Sequence, residues 1–137
     1  ICAAAQARTD GSPLEVVGVE QVSTAVGCAR RNARANGLAE ACRFICDDAT
    51  DWMAKQAHAT FDTVILDPPR AGSTPEFLNG LARLGPTRIV YVSCNPVTQV
   101  RDLATLRTAG YSVQRIVPVD MFPHTKHVET VVLLSKM

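Results

Sequence analysis

The sequence predicts an α/β fold with a mainly parallel β-sheet that helices cover on both faces. Short apolar runs rich in β-branched residues alternate with segments of helical periodicity along most of the chain. Only the last two predicted strands follow each other without a helix, which predicts one antiparallel strand near the C-terminus. Acids or a cysteine follow most of the strands, at the sheet edge where such folds bind ligands.

The composition is that of an ordinary globular domain. Of its 137 residues, 47% are hydrophobic and 20% charged, and the formal charge of +1 provides no general basic field for nucleic acid. No apolar run approaches the ~20 residues of a membrane span. The five cysteines lack a Cys-x-x-Cys pair, which argues against a metal site and favours a reducing, cytoplasmic location. Because the chain opens inside a helical pattern without methionine or a secretory leader, we expect a piece of a longer protein.

Two strand–helix pairs follow a short helix in the first part of the chain. Turn residues at 9–13 end the first helix. Small apolar residues lie on one face of the second helix, and Gly37 is a typical C-terminal stop. The predicted helices cover residues 1–8, 22–36 and 51–57, and the predicted strands cover residues 14–19 and 42–46.

Capping signals define the helices of the second part. Thr74 and Asn95 are each followed by proline, which is the pattern of an N-cap and a first helical position. Gly85 and Gly110 end these two helices. A buried pattern is clearest in the strand at 61–66. The other predicted strands cover residues 88–92, 111–119 and 128–134, and the helices cover residues 75–84 and 96–109.

Acids follow the first two predicted strands. Glu20 stands where nucleotide-binding α/β units carry an acid that accepts hydrogen bonds from ribose hydroxyls. One of Asp47 and Asp48 is a candidate acceptor for an adenine amino group. The alternative role for this pair is the N-cap of the following helix.

An Asp-Pro-Pro-Arg segment follows the third predicted strand. Its two prolines fix the backbone and remove N–H donors, so they form a stiff lip that holds Asp67 beside the ligand crevice. An aromatic residue in place of Arg70 would indicate methylation of an exocyclic base nitrogen, and the arginine departs from that pattern.

Cys94 and Glu129 are the candidates for covalent and acid–base chemistry. Cys94 lies between a predicted strand and a helix N-terminus, whose partial positive charge stabilises a thiolate. A structural cysteine is expected inside the strand, so we interpret Cys94 as a nucleophile. Glu129 begins the last strand beside His124 and His127 and is a candidate general base, with an exposed cross-strand partner as the alternative.

Together these segments resemble one family, the S-adenosylmethionine-dependent RNA uracil-C5 methyltransferases. The matching stretches, in the family's order, are VVGVE, ILDPPRAG, YVSCNP with RDL after it, and MFPHTKHVETVVLL. The resemblance implies a Rossmann-like class I methyltransferase fold, S-adenosylmethionine as cofactor, an RNA substrate, and a monomeric enzyme. Within the last stretch, MFPHTKHVET is more similar to members that act on 23S ribosomal RNA than to those that act on transfer RNA.

The resemblance also implies a role for each candidate residue. Cys94 would add to C6 of a uracil, C5 would take the methyl group, and Glu129 would remove the C5 proton before Cys94 is released. The target uridine would have to leave its stack. The implied cofactor contacts are Glu20, Asp48 and Asp67, and the implied substrate contacts are Asp67, Asn95, Pro96 and His124.

Several family features should precede Ile1, so residues 1–137 are expected to be a partial catalytic domain. These features are the first strand with its Gly-rich cofactor loop, a cofactor-contacting glutamine, an RNA-binding domain and, in some members, a four-cysteine iron–sulfur site. The first strand normally lies in the middle of the sheet. Without it, the strands at 14–19 and 42–46 lack the neighbour that joins them to the strand at 61–66.

Two other interpretations compete with this one. A base N-methyltransferase would carry an aromatic residue at Arg70 and no nucleophilic thiol at Cys94. A non-catalytic RNA-binding module would expose aromatic residues for base stacking, but only 5% of the chain is aromatic.

We predict that residues 1–137 alone are poorly stable and inactive, because the central strand and the cofactor loop are expected to lie upstream. Urea unfolding and S-adenosylmethionine titration of the isolated chain test this. Cooperative unfolding together with tight cofactor binding would contradict it.

Overall fold

The computed structural model describes residues 1–11 and 14–137. Ser12 and Pro13, which belong to the predicted turn at 9–13, therefore lie outside the described residues. The chain divides into two compact units, Ile1–Trp52 and Met53–Met137. Within residues 1–11 and 14–137, no helix is long and apolar enough to cross a membrane.

The first unit contains a two-stranded parallel sheet and its helices. Strands β1 and β2 pair in register from Val16 opposite Cys42 to Glu20 opposite Cys46. Gly18 is required beneath Phe44, since an added Cβ would lie 2.7 Å from the ring. The elements are α1 (Cys2–Thr9), β1 (Val16–Glu20), α2 (Ser23–Ala35), β2 (Cys42–Cys46) and, at the boundary between the units, α3 (Ala49–Ala54).

The second unit contains a four-stranded sheet of order β3-β4-β6-β5. Strands β3 and β4 are parallel, whereas β6 lies between β4 and β5 and is antiparallel to both. The predicted antiparallel pair is therefore confirmed, and β1–β2 form a separate sheet as expected. The elements are β3 (Thr63–Leu66), α4 (Pro75–Leu84), β4 (Arg88–Ser93), α5 (Pro96–Thr108), β5 (Tyr111–Val119) and β6 (Glu129–Lys136).

Local signals explain where α4 begins and ends. Thr74 Oγ1 accepts a hydrogen bond of 3.1 Å from the N–H of Phe77, and Pro75 occupies the first helical position. Gly85 ends the helix in the left-handed conformation, with φ of 68°. The apolar face of α4 is buried through Leu78, Leu81 and Leu84.

The prediction that the strand at 61–66 is buried is wrong for part of its length. Only Leu66 is buried in β3, whereas the side chain of Ile65 is 63% exposed. Among residues 1–11 and 14–137, β3 pairs with β4 alone.

A buried carboxylate holds α5 against β4. Asp102, which is 1% exposed, accepts hydrogen bonds from the hydroxyl of Tyr91 at 2.6 Å and from the N–H of Ser73 at 2.7 Å. Arg101 Nε donates to its other oxygen at 2.9 Å. Burial, reinforced by the bond to Asp102, raises the pKa of Tyr91 far above its usual value. Asp102 thereby joins α5, β4 and the loop before α4.

Gly72 lets this loop approach the carboxylate. Its φ is +82°, and an added Cβ would lie 2.5 Å from Arg101 Nη2 and 2.8 Å from Asp102 Oδ2. Arg101 Nη2 also donates to the carbonyl oxygens of Ala71 and Ser73 at 3.0 and 3.2 Å. The loop is therefore fastened to α5 through its backbone.

We predict that Gly72→Ala destabilises the protein more than Gly110→Ala does. Both glycines have positive φ, so either alanine costs about 1–2 kcal/mol in backbone strain. Nothing lies within 4 Å of a Cβ at Gly110, whereas one at Gly72 displaces the buried Asp102 at a further cost of ~1–3 kcal/mol. The test is to measure the free energy of unfolding of each variant in urea, using the full polypeptide, that is, the longer protein of which residues 1–137 are expected to be a part. Equal losses of unfolding free energy in the two variants would contradict the prediction.

Candidate active site

Cys94 lies in a tight junction between β4 and α5. Strand β4 ends at Ser93, whose Oγ accepts a hydrogen bond of 3.0 Å from the N–H of Asn95. The Asn95 Oδ1 in turn accepts from the N–H of Val97 at 3.2 Å and caps α5, and Pro96 is the first residue of that helix. These bonds fix the backbone on both sides of the half-buried Cys94.

Cys94 and Glu129 lie next to the last pair of the β4–β6 ladder. That pair is Ser93 with Thr130; Cys94 directly follows Ser93, and Glu129 directly precedes Thr130. Glu129 itself pairs with Val119 of β5. The ladder therefore brings Cys94 and Glu129 to the same end of the sheet.

Cys94 and Glu129 line one pocket with a volume of about 230 Å³. Its remaining walls are Arg70, Phe122 and His127. Arg70 Nη2 lies 3.4 Å from His127 Nδ1, which joins a cationic side chain to the loop before β6. A thiol, a carboxylate, a guanidinium and an aromatic ring therefore face a common space.

The Asp-Pro-Pro-Arg segment reaches this pocket because α5 holds it. The carbonyl oxygen of Arg70 accepts hydrogen bonds from Asn95 Nδ2 at 3.1 Å and from Thr98 Oγ1 at 3.2 Å. Asp67 follows β3, which pairs with β4 through Leu66 opposite Tyr91, so Asp67 lies at the same sheet edge as the end of β4.

The predicted substrate contacts have different surroundings. Asn95 caps α5 and holds Arg70, as described above, while His124 is exposed and adopts a positive φ of 67°. Of the two histidines in the loop, His127 lines the pocket with Cys94. The roles assigned to Cys94 and Glu129, and to the other candidates, stay predictions.

The sequence-based choice of residues missed three of the pocket's walls: Arg70, Phe122 and His127. For His127 a signal was available, because it stands two residues before Glu129 and side chains two apart along an extended chain face the same side. The sequence marks Arg70 only as a departure from the Asp-Pro-Pro-aromatic pattern. Its placement depends on hydrogen bonds to α5 that the sequence does not reveal.

In the first unit, Glu20 is the last residue of β1, and Asp48 lies two residues after the parallel strand β2. The N–H of Asp47 donates to the carbonyl oxygen of Glu20 at 3.3 Å, and Glu20 Oε1 accepts from the N–H of Val22 at 2.8 Å. Asp48 Oδ1 accepts from the N–H groups of Asp51 at 3.2 Å and Thr50 at 2.8 Å. These backbone bonds hold the pKa of Asp48 below its usual value. Asp48 therefore caps α3, which begins at residue 49 and not at the predicted 51.

The sequence profile of the tRNA (Uracil-5-)-methyltransferase family matches residues 53–137. The chain belongs to this family. An uncharacterized RNA methyltransferase of Thermotoga maritima is 46% identical over 129 residues, which are 94% of this chain and 29% of that protein. The 23S rRNA (uracil(1939)-C(5))-methyltransferase RlmD of Klebsiella pneumoniae is 46% identical over 123 residues, which are 88% of this chain and 28% of that protein. The chain thus spans less than a third of the length of these relatives.

Known structures confirm the Rossmann-like methyltransferase fold. The tRNA (uracil-54, C5)-methyltransferase of Pyrococcus abyssi, in complex with S-adenosyl-L-homocysteine, has a TM-score of 0.75 and 42% identity. The match covers 88% of this chain and 28% of that one. TrmN of Thermus thermophilus, at 22% identity and a TM-score of 0.67, covers 98% of this chain and 40% of its own, and supports the fold alone. The expectation of an S-adenosylmethionine-dependent family is confirmed by the P. abyssi complex.

We predict that Asp48→Ala frees the first amides of α3, whereas Asp48→Asn retains their protection. Asparagine is as good an N-cap as aspartate, and alanine offers no acceptor. Hydrogen exchange at Thr50 and Asp51, whose N–H groups Asp48 holds, should become severalfold faster in Asp48→Ala only. The same rates in both variants would show that the cap contributes nothing.

Proposed function

We propose that this chain is part of the catalytic domain of an RNA uracil-C5 methyltransferase, which transfers a methyl group from S-adenosylmethionine to C5 of a uridine. The observation that carries the proposal is that Cys94 directly follows β4, Glu129 begins the paired strand β6, and both line one pocket. A nucleophile and a carboxylate so placed suit the two adjacent ring atoms, C6 and C5, at which this reaction proceeds.

Cys94 is the nucleophile. As a thiolate, its sulfur forms a bond to C6 of the uracil, and the electrons of the C5–C6 double bond move onto C5 and the adjacent carbonyl. This addition is needed because C5 of uracil is a poor nucleophile on its own. The N-terminus of the 13-residue helix α5, which begins two residues after Cys94, favours the anionic sulfur.

Glu129 is the general base. Once C5 carries the methyl group, the carboxylate accepts the C5 proton. The electrons of the broken C–H bond re-form the C5–C6 double bond and expel the sulfur of Cys94. The nucleophile is thereby regenerated, and the base retains one proton to release to solvent.

The acids at the strand ends fit S-adenosylmethionine, which when bound supplies an electrophilic methyl group. Ribose hydroxyls and an adenine amino group are donors, and carboxylates are their natural acceptors. Backbone N–H groups donate to Oε1 of Glu20 and to Oδ1 of Asp48. Each carboxylate also has a second oxygen with its own lone pairs. We propose Glu20, Asp48 and Asp67 as cofactor contacts.

We propose RNA as the partner, with 23S ribosomal RNA favoured over transfer RNA, in a cytoplasmic and monomeric enzyme. The RNA-methyltransferase names of the relatives support the substrate class. The preference for ribosomal RNA rests on the similarity of residues 121–130 to such members. Asp67, Asn95, Pro96 and His124 are proposed substrate contacts, and the isolated residues 1–137 are proposed to be inactive.

We predict that RNA carrying 5-fluorouridine traps the full polypeptide covalently through Cys94. Fluorine at C5 cannot leave as a cation, so the adduct does not collapse after methyl transfer. Cys94→Ala should abolish the gel-stable adduct, and Cys28→Ala, which changes an exposed cysteine, should retain it. Glu129→Gln should lower product formation about 10²–10⁴-fold and accumulate adduct on ordinary RNA.

The same assay separates the competing interpretations. A base N-methyltransferase would methylate RNA without trapping 5-fluorouridine, and a binding module would retain RNA without forming product. Supplying 23S ribosomal RNA segments and transfer RNA in parallel tests the substrate preference. Trapping that survives Cys94→Ala would overturn the mechanism.

A further inference from the structure

Two polar side chains are buried beneath the end of the β4–β6 ladder. Gln99, in α5, is 3% exposed, and Thr130, in β6, is 8% exposed. Burying an amide or a hydroxyl is costly unless its hydrogen bonds are replaced. At the same time, Val97 and Val100 of α5 are 79% and 66% exposed. The helix therefore turns polar groups inward at this point.

Gln99 and Thr130 connect α5 to both strands of the ladder. Gln99 Nε2 donates to the carbonyl oxygens of Tyr91 at 3.1 Å and Thr130 at 3.3 Å. The Thr130 hydroxyl donates to Gln99 Oε1 at 2.7 Å, and Ser93 O lies farther away, at 3.3 Å. Since Tyr91 belongs to β4 and Thr130 to β6, a single amide spans the two strands.

This bridge stands next to the proposed nucleophile and base. Cys94 follows Ser93 directly, and Glu129 directly precedes Thr130. Ser93 and Thr130 form the last ladder pair, and strand ends separate readily unless other contacts hold them. Adjacent side chains of a strand face opposite sides, which explains how Thr130 bonds to α5 while Glu129 lines the pocket.

We propose that Gln99 and Thr130 are positioning residues that set the separation of Cys94 and Glu129. The proposal rests on the function proposed above. Neither side chain lines the pocket, so both act through the strands. Cys94 is also fixed by the Ser93–Asn95 turn and the cap of α5, whereas Glu129 forms the end pair of the β5–β6 ladder, opposite Val119. Loss of the bridge therefore displaces the base more than the nucleophile.

The test compares Thr130→Val, which has the same shape but no hydroxyl, with Thr130→Ser, which keeps the hydroxyl. In the full polypeptide, Thr130→Val should lower kcat about tenfold to a hundredfold with little change in KM for RNA, because misplacing a reacting group by ~1 Å costs that much. It should also accumulate covalent adduct on ordinary uridine RNA, as Glu129→Gln is expected to do. Thr130→Ser should restore turnover, and Thr105→Val, at an exposed position of α5, should leave it unchanged.

A structural role alone would not produce these results. The proposal is overturned if the loss of kcat in Thr130→Val only matches the fraction of protein that a melting curve shows to be unfolded. It is also overturned if Thr130→Val accumulates no covalent adduct with RNA. In a protein that already carries Glu129→Gln, adding Thr130→Val should lower kcat little further, because both changes act on the same base. A further kcat loss as large as that in the otherwise unaltered protein would also overturn the proposal. Should Thr130→Val not fold, Gln99→Met, similar in volume and without donors, is measured instead. Failure of the unaltered protein to trap 5-fluorouridine RNA would refute the proposed function itself.

Discussion

The arrangement of the candidate site depends on one buried charge, the carboxylate of Asp102. Its oxygens receive the hydroxyl of Tyr91, the N–H of Ser73 and the guanidinium of Arg101. A desolvated carboxylate is stable only while such bonds hold it, so its partners have little freedom to move. The loop that carries Arg70 and the β4–α5 junction that carries Cys94 are both fastened to this group. The shape of the pocket therefore depends on the hydrogen bonds that Asp102 accepts.

Helix α5 is held by hydrogen bonds near the pocket and by apolar contacts farther from it. Gln99 and Asp102, three residues apart and thus on one helix face, make directional hydrogen bonds to β4, β6 and the loop before α4. Farther from the pocket the buried residues are apolar, Leu103 and Leu106. The helix therefore fixes the geometry near Cys94 by hydrogen bonds and contributes to the hydrophobic core elsewhere.

Features governed by local chemistry were predictable from the sequence. Caps and stops placed α4 and α5 to within a residue or two, because Thr74, Asn95 and Gly85 act through neighbouring backbone groups. The apolar composition of the strand at 61–66 did not predict the exposure of Ile65. The burial of Gln99 and Asp102 was not predictable from their polarity, although their spacing from Leu103 and Leu106 puts all four residues on one face of α5. Their partners lie in β4, in β6 and in the loop before α4, and these contacts exist only after the fold has formed.

Polar groups at these two positions are better explained by geometry than by stability. Well-packed apolar side chains often stabilise a core as much as a buried polar network does. Apolar contacts, however, tolerate small displacements, whereas hydrogen bonds lose strength with changes of angle and distance. A reacting pair must be held to about 0.5 Å. The inward-facing Gln99 and Asp102, beside outward-facing Val97 and Val100, are thus expected if Cys94 has the proposed role and must be held in one position.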